Sequence, residues 1–244
     1  MPTRQSLNIV SVCLLLTAVS WAQTAIKPAS GQSLSVAALP VSADHLLNGG
    51  PSAWNQITAK HVALNRTPPL YDTDEPAALE IPSLDVRVAR AGGKLLMQLT
   101  WRDMTHDAVT LAEVPGTPPE TRFRKVPTEA DDRFFDAAAV MFPEKVKSGG
   151  IAPSLQMGDA EHAVEIYYWN ATRGAMVMQA QGRSTTRRTG QSFPANGSHQ
   201  NGQWNVSFEI PDLPAGTTVA FAIWNGSQKD RDGRKYFSVW QVLE

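Results

Sequence analysis

"LDVRVARAGGKLLMQLTWRD", residues 84–103, is the stretch that decides the fold. Two runs of strand-favouring residues flank Gly92-Gly93, which has the spacing and the turn chemistry of a tight hairpin. In the second run Leu95, Met97, Leu99 and Trp101 share one face, the two-residue period of a strand with a buried side. The same alternation recurs downstream. In "QWNVSFEI" (203–210), Trp204, Val206, Phe208 and Ile210 point one way and Asn205, Ser207 and Glu209 the other. "FFDAAAVMFP", "AVEIYYWNA", "AMVMQAQGR", "TVAFAIWNG" and "KYFSVWQVL" are further strand-length segments, separated by Gly, Pro and Asn. No long amphipathic helix pattern interrupts them, and no internal repeat is visible. The expected fold is all-β, an antiparallel β-sandwich with long loops. The longest loop is the polar stretch 105–130, and loops of that length are often functional.

The start of the chain reads as an address rather than as structure. Arg4 precedes an apolar run from about Leu7 to Val19, and Ser20-Trp21-Ala22 follows. A basic start, a short apolar stretch and small residues describe a secretory signal peptide, with Ser20 and Ala22 suiting the positions before the cut. The run falls short of the ~20 residues that a membrane span needs. The expected organisation is a signal peptide (1–22), a small, polar and loose N-terminal arm (23–44) and one β domain (45–244). Cys13 is the only cysteine and lies in the leader. The exported chain then has no cysteine for disulfides, for Cys-ligated iron–sulfur clusters or for covalent c-type haem. Loss of Arg4 leaves 21 basic against 23 acidic residues, with no basic patch of the kind that nucleic acid requires. Five N-x-[ST] sequons, at Asn65, Asn170, Asn196, Asn205 and Asn225, read as chance in a polar surface.

Motifs for catalysis are missing. There is no G-x-S-x-G, no H-E-x-x-H and no phosphate loop. His45, His61, His106, His162 and His199 show no metal-ligand spacing. "DRDG" (230–233) carries only part of a calcium loop and reads as a turn. Asp131-Asp132 reads as a solvated loop pair. One feature fits no apolar pattern: Met157, a soft thioether, stands just ahead of a strand and beside Gly158, where a backbone can come close to something.

Four segments read together carry a resemblance. They are "LLMQLTWRDMTHD" (95–107), "RFFDAAAVMFP" (133–143), "PSLQMGDAEHAVEIYYWNA" (153–171) and "VAFAIWNGSQKDRDGRKYFSVW" (219–240). In this order they resemble the haem b-binding γ subunits of periplasmic type II dimethyl-sulfoxide-reductase-family molybdoenzymes, such as ethylbenzene dehydrogenase, dimethylsulfide dehydrogenase, and selenate and chlorate reductases. The resemblance covers roughly residues 45–244. It implies a β-sandwich, in agreement with the strand pattern, and an electron-transfer subunit that is not an enzyme on its own. It implies one non-covalent haem b, a molybdopterin catalytic subunit and an iron–sulfur subunit as partners, an external c-type cytochrome as carrier, and a periplasmic location.

In that family a Met and a Lys bind the haem iron axially. The Met-Gly segment places the first role on Met157, and the Gly-x-Lys segment places the second on Lys235, with Lys229 as the competing lysine. The resemblance also suggests that Gly158 lets the backbone pass near the porphyrin. A lysine ligates iron only as the neutral amine, so burial and the metal must displace its proton. With both axial positions filled by protein, such a haem suits electron transfer rather than substrate chemistry. Tyr167, Tyr168, Trp169, Trp224, Phe237 and Trp240 are candidates to pack around the ring, some of them being simply core. The alternative is a secreted ligand- or carbohydrate-binding sandwich without haem, which an absorption spectrum separates from the first reading.

The leader generates a first test. Edman or mass-spectrometric N-terminal sequencing of the exported protein should find a start near Gln23, and an intact Met1 in a membrane fraction would defeat the signal-peptide reading.

Overall fold

The computed structural model describes residues 33–68, 79–108, 134–145 and 152–244. The leader, most of the 105–130 loop and Asp131-Asp132 lie outside the described residues. In chain order the elements are β1 (Ser33–Leu34), β2 (Val36–Ala38), α1 (Ala43–Asn48), β3 (Lys60–Ala63), β4 (Asn65–Arg66), β5 (Ser83–Ala91), β6 (Lys94–Arg102), β7 (Ala137–Pro143), β8 (Val164–Asn170), β9 (Gly174–Ala180), β10 (Arg187–Arg188), β11 (Ala195–Gln200), β12 (Gln203–Ile210), β13 (Thr218–Trp224), β14 (Tyr236–Phe237) and β15 (Gln241–Leu243).

The hairpin forms as its sequence specifies. Gly92 and Gly93 have φ of 56° and 75°, the two left-handed positions that a two-residue hairpin turn demands, and Ala91 pairs with Lys94. From this hairpin a six-stranded sheet grows in the order β11-β12-β6-β5-β2, with β3 also on β5. The second sheet has nine strands, β1-β15-β13-β7-β8-β9-β10, with β14 on β13 and β4 on β14. The two pack face to face. Val86, Met97, Leu99 and Phe208 from one sheet meet Val140, Phe142, Phe221 and Ile223 from the other in a single core. Trp204 joins them, stacked on Trp101 at 6.1 Å and edge-on to Trp169 at 5.1 Å. The β-sandwich expected from the strand pattern is the fold.

The N-terminal segment differs from the loose arm expected of it. β1 runs parallel to β15, and β2 runs parallel to β5, so residues 33–38 stitch the two sheets together. Leu34 is buried in the core. These short polar-looking strands carry little local signal; they are held by pairing with partners far along the chain. The outer face of the six-stranded sheet is covered as well: α1 and Trp54 lie over Ala89, Ala91 and Leu96, and the Trp54 indole donates to the Leu46 carbonyl.

Asp136, at the entrance of β7, is fully buried. Its carboxylate accepts from the backbone N–H of Gly226 and of Asp107 and from the indole of Trp204, at 2.8–2.9 Å. Burial pushes its pKa up to about 6, and the neighbouring Asp103 adds to the rise while the three donors oppose it.

Close packing between the sheets can be tested at β11. A Cβ at Gly197 would stand 2.2 Å from the Trp169 ring, whereas one at Gly233 would meet nothing within 4 Å. Gly197→Ala is expected to destabilise by ~1–3 kcal/mol, a melting shift of roughly 2–4 °C per kcal/mol. Gly233→Ala should stay within ~0.5 kcal/mol of the parent in the same thermal scan.

Candidate functional site

The nine-stranded sheet buries both of its faces. Along β7, Ala138, Val140 and Phe142 enter the sandwich core, and Ala137, Ala139 and Met141 take the other face. Along β13, Val219, Phe221 and Ile223 alternate in the same way with Ala220, Ala222 and Trp224. Register carries this second face across the strands. Phe237, Ala222, Ala139, Tyr168 and Met176 form one row, and Ala220, Met141, Ile166 and Met178 form the next. Alanines at the centre and larger side chains on either flank leave a trough. Two loops close over it to give a cleft of about 590 Å³, within the ~300–1,000 Å³ usual for small-molecule and cofactor sites.

Met157 enters from the loop before β8. Its φ is 72°, a left-handed backbone that a non-glycine residue rarely adopts. The turn is held on all sides. Gly158 N–H donates to the Ser154 carbonyl, and Gly182 N–H donates to that of Met157. Asp159 accepts from the backbone N–H groups of Ser154, Glu161 and His162, and the Trp240 indole donates to the Pro153 carbonyl. A Cβ at Gly158 would meet the carbonyl oxygens of His162 at 2.6 Å and Ala180 at 3.3 Å. The protein atoms that come close to Gly158 are those of the neighbouring backbone.

Lys235 enters from the opposite loop, at the start of β14. Thr67 clamps its backbone: the Thr67 hydroxyl and N–H both donate to the Lys235 carbonyl, and the Lys235 N–H donates back to that hydroxyl. Upstream, Asp230 is buried, accepts both terminal nitrogens of Arg66, and receives the Asn225 N–H. The "DRDG" segment is the turn its sequence suggests, with Arg231 and Arg234 bridged across it.

The two side chains meet. Lys235 Nζ lies 3.7 Å from Met157 Sδ, and 5.4 Å from the centre of the Trp224 ring. Burial lowers the Lys235 pKa below its ordinary 10.5, and Asp232 acts the other way. Lys229, the competing lysine, is exposed at the end of the short turn Gly226–Gln228 and does not line the cleft. Of the six candidate aromatic residues, Tyr168, Trp224 and Phe237 line it. Tyr167 and Trp169 fall on the other face of β8 and pack in the sandwich core, and Trp240 is buried beneath the Met157 loop.

Several lining residues went unread in the sequence. Met141, Met176 and Met178 join Met157, so four of the seven methionines face one cleft and give it a soft, polarisable lining. The alternation in "AMVMQ" already places Met176 and Met178 on one face of a strand. Arg173, Arg183 and Arg188 stand on the cleft's β9–β10 side. Among the described residues no three His, Cys, Asp or Glu side chains come together to hold a metal ion, and no helix is long and apolar enough to cross a membrane.

No family model matches the chain. It is 28% identical over 244 aligned residues to a Haloferax mediterranei protein named as a respiratory nitrate reductase heme subunit (ORF7), covering 95% of this chain and 79% of that one. It is 29% identical to dimethylsulfide dehydrogenase subunit gamma of Rhodovulum sulfidophilum, covering 76% and 70%. It is 27% identical to chlorate reductase subunit gamma of Ideonella dechloratans, covering 65% and 64%. The chain is a homologue of the γ subunits of type II dimethyl-sulfoxide-reductase-family enzymes. The kinship agrees with the resemblance carried by the four sequence segments.

The desolvated amine has a measurable consequence. In the unfolded chain Lys235 keeps its proton up to the ordinary 10.5, and in the folded chain only to a lower pH. Stability from this group therefore rises with pH across that window and is lost as pH falls through the folded value. Lys235→Met removes the buried charge at similar length. The ligand-free variant is expected to be more stable than the parent near neutral pH, by on the order of 1 kcal/mol, and to lack this pH slope in denaturant titrations.

Proposed function

We propose that this chain is an exported electron-transfer subunit that holds one haem b non-covalently in the cleft, with Met157 and Lys235 as the two axial ligands of the iron. It passes electrons between an iron–sulfur subunit of a molybdenum oxidoreductase and an external carrier such as a c-type cytochrome, in the periplasm. It has no catalytic residues of its own. The observation that carries the reading is the meeting of a thioether and an amine, 3.7 Å apart, from two separate loops over an apolar trough.

The residues suit the group. The alanines at the middle of the trough leave room for a flat ring, and Tyr168, Trp224 and Phe237 give it apolar walls. A methionine sulfur is a neutral, soft donor. The lysine is a donor only without its proton, and burial already favours that form. Thr67 and the Arg66–Asp230 pair hold the lysine's backbone, so little freedom is lost when the side chain is engaged. Haem held there by Met157 and Lys235 would supply a one-electron iron couple suited to electron transfer rather than substrate chemistry.

The partners follow from what the chain lacks and from its relatives. With no cysteine after Cys13 it cannot hold Cys-ligated clusters, so a donor or acceptor of that kind belongs to another chain. The relatives are named as subunits of reductases and a dehydrogenase, which supports a role within a larger assembly.

Three variants of the purified protein test the ligands. The parent should show the Soret band and low-spin features of a six-coordinate haem. Met157→Ala should become partly high-spin with a lowered potential, and Lys235→Ala should retain haem poorly. Lys229→Ala should leave the spectrum unchanged. A Soret shift in Lys229→Ala but not in Lys235→Ala would move the ligand role to Lys229. A parent protein that binds no haem would overturn the reading in favour of a ligand-binding module.

A further inference from the structure

We propose that Arg173 and Arg188, together with the Tyr168 hydroxyl, receive the two carboxylates on the polar edge of the haem, which fixes that edge toward the β9–β10 lip and lays the apolar remainder of the ring over the alanine trough. The inference rests on the haem reading above and adds the direction in which the ring enters.

The two sides of the cleft differ in charge. The β14 side presents Phe237, Ala222 and Ala220 with Lys235 and with Arg231 beside Asp232, and the β9–β10 side presents Arg173, Arg183 and Arg188. Strand alternation explains why. Arg188 pairs with Met178 and so extends the row Ala220, Met141, Ile166, Met178 to the rim of the sheet. Its neighbour Arg187 points to the other face, where it donates to the Gln179 side chain and does not line the cleft. Arg173 sits in the β8–β9 turn, held there because Asn170 accepts the N–H of Thr172 and of Arg173. The same Asn170 side chain donates to the Tyr168 hydroxyl at 3.2 Å. Burial raises the Tyr168 pKa and Asp232 adds to the rise, while the Asn170 hydrogen bond, Arg173 and Arg188 pull it the other way.

These guanidinium groups are also unspent. Among the described residues Arg66 and Arg234 pair with Asp230, Arg231 approaches Asp232, and Arg90 pairs with Asp212. Arg173, Arg183 and Arg188 have no carboxylate partner among the described residues. A haem is a flat apolar ring with two carboxylates on one edge, and a guanidinium fork matches a carboxylate in shape as well as in charge. With no cysteine after Cys13 for covalent attachment, the ring's orientation depends on such contacts and on the axial ligands. Tyr168 can add its hydroxyl as a donor from the floor.

The test uses the full-length exported protein loaded with either haem or haem dimethyl ester, in which both carboxylates are masked. Haem transfer to excess apomyoglobin is followed optically for the parent, Arg173→Gln, Arg188→Gln, the double variant and the control Arg187→Gln. Each single cleft variant is expected to release haem roughly tenfold faster, the strength of a charge-assisted hydrogen bond. The double variant should release it faster still, and Arg187→Gln should match the parent. The ester should leave the parent as fast as haem leaves the double variant, and its release should not change on substitution. Release of haem at the parental rate from both cleft variants, or equal retention of haem and ester by the parent, overturns the inference. In that outcome an unaltered low-spin spectrum leaves the Met157–Lys235 reading standing. A parent that takes up neither form fails at the earlier step, so the two failures are distinguishable.

Discussion

Alternate residues of a strand point to opposite faces, and the central strands of the nine-stranded sheet must satisfy a buried environment on each. β7 shows the constraint most clearly. Ala138, Val140 and Phe142 fill the sandwich, while Ala137, Ala139 and Met141 form the cleft floor. Alanine is a weak strand former, but packing on both faces decides here rather than propensity. A slip of one residue in the β7 register would exchange the two sets, putting Phe142 into the trough and alanines into the core. The pairing with β13 and β8 therefore does two things at once. It closes the sandwich core, and it aligns Ala139, Ala220 and Ala222 so that their smallness adds up to a continuous groove.

Buried carboxylates fix the segment that roofs the groove. Asp136 holds the N–H of Gly226 at one end, and Asp230 holds Asn225 and Arg66 at the other. The side chains of Arg66 and Asp230 are 12% and 0% exposed, so this pair is desolvated as well as bidentate. Such a pair contributes little net stability against an apolar substitute, because desolvation offsets most of the attraction. Its effect is geometric. Arg66 ends β4, Asp230 ends the turn after β13, and β14 lies on both strands through Tyr236 and Phe237. Arg66 also stacks over the Tyr236 ring at 4.4 Å. Lys235 is thus positioned by contacts on either side of it, none of which its own side chain makes.

What the sequence disclosed follows the range of the interactions. The β5–β6 hairpin depends on Gly92-Gly93 and on alternation within ten residues, and both are local. The same alternation separates Tyr168 from Tyr167 and Trp169, and it places Met176 and Met178 on the cleft face. Parallel pairing of β1 with β15 joins the two ends of the described chain, and no local pattern in "SLSVAA" announces it. Arg66 and Asp230 are 164 residues apart in sequence, and the DRDG motif that begins at Asp230 gives no hint of an arginine partner. The convergence of Met157 and Lys235 is of this second kind. It requires that β8, β7 and β13 be neighbours in that order, which composition and periodicity do not specify. Only the resemblance of the segments to the γ subunits joined the two residues beforehand.

The fold accepts two unfavourable features at one point. A left-handed backbone at Met157 costs about 1–2 kcal/mol relative to the ordinary conformation, and a desolvated amine at Lys235 opposes folding whenever it would be charged. Against a total stability of ~5–15 kcal/mol these are not small; a glycine at position 157 would avoid the first and a leucine at position 235 the second. Neither feature helps the sandwich core, which lies on the other side of the sheet. Their side chains nevertheless end 3.7 Å apart, over the stretch of sheet surface where Ala139, Ala220 and Ala222 leave space. On the proposed reading the two penalties have one remedy: a group that takes a sulfur lone pair on one side and a neutral amine on the other makes the αL turn useful and the deprotonated lysine favourable. Ligand binding would then offset both penalties, and the folded protein would be most stable when loaded.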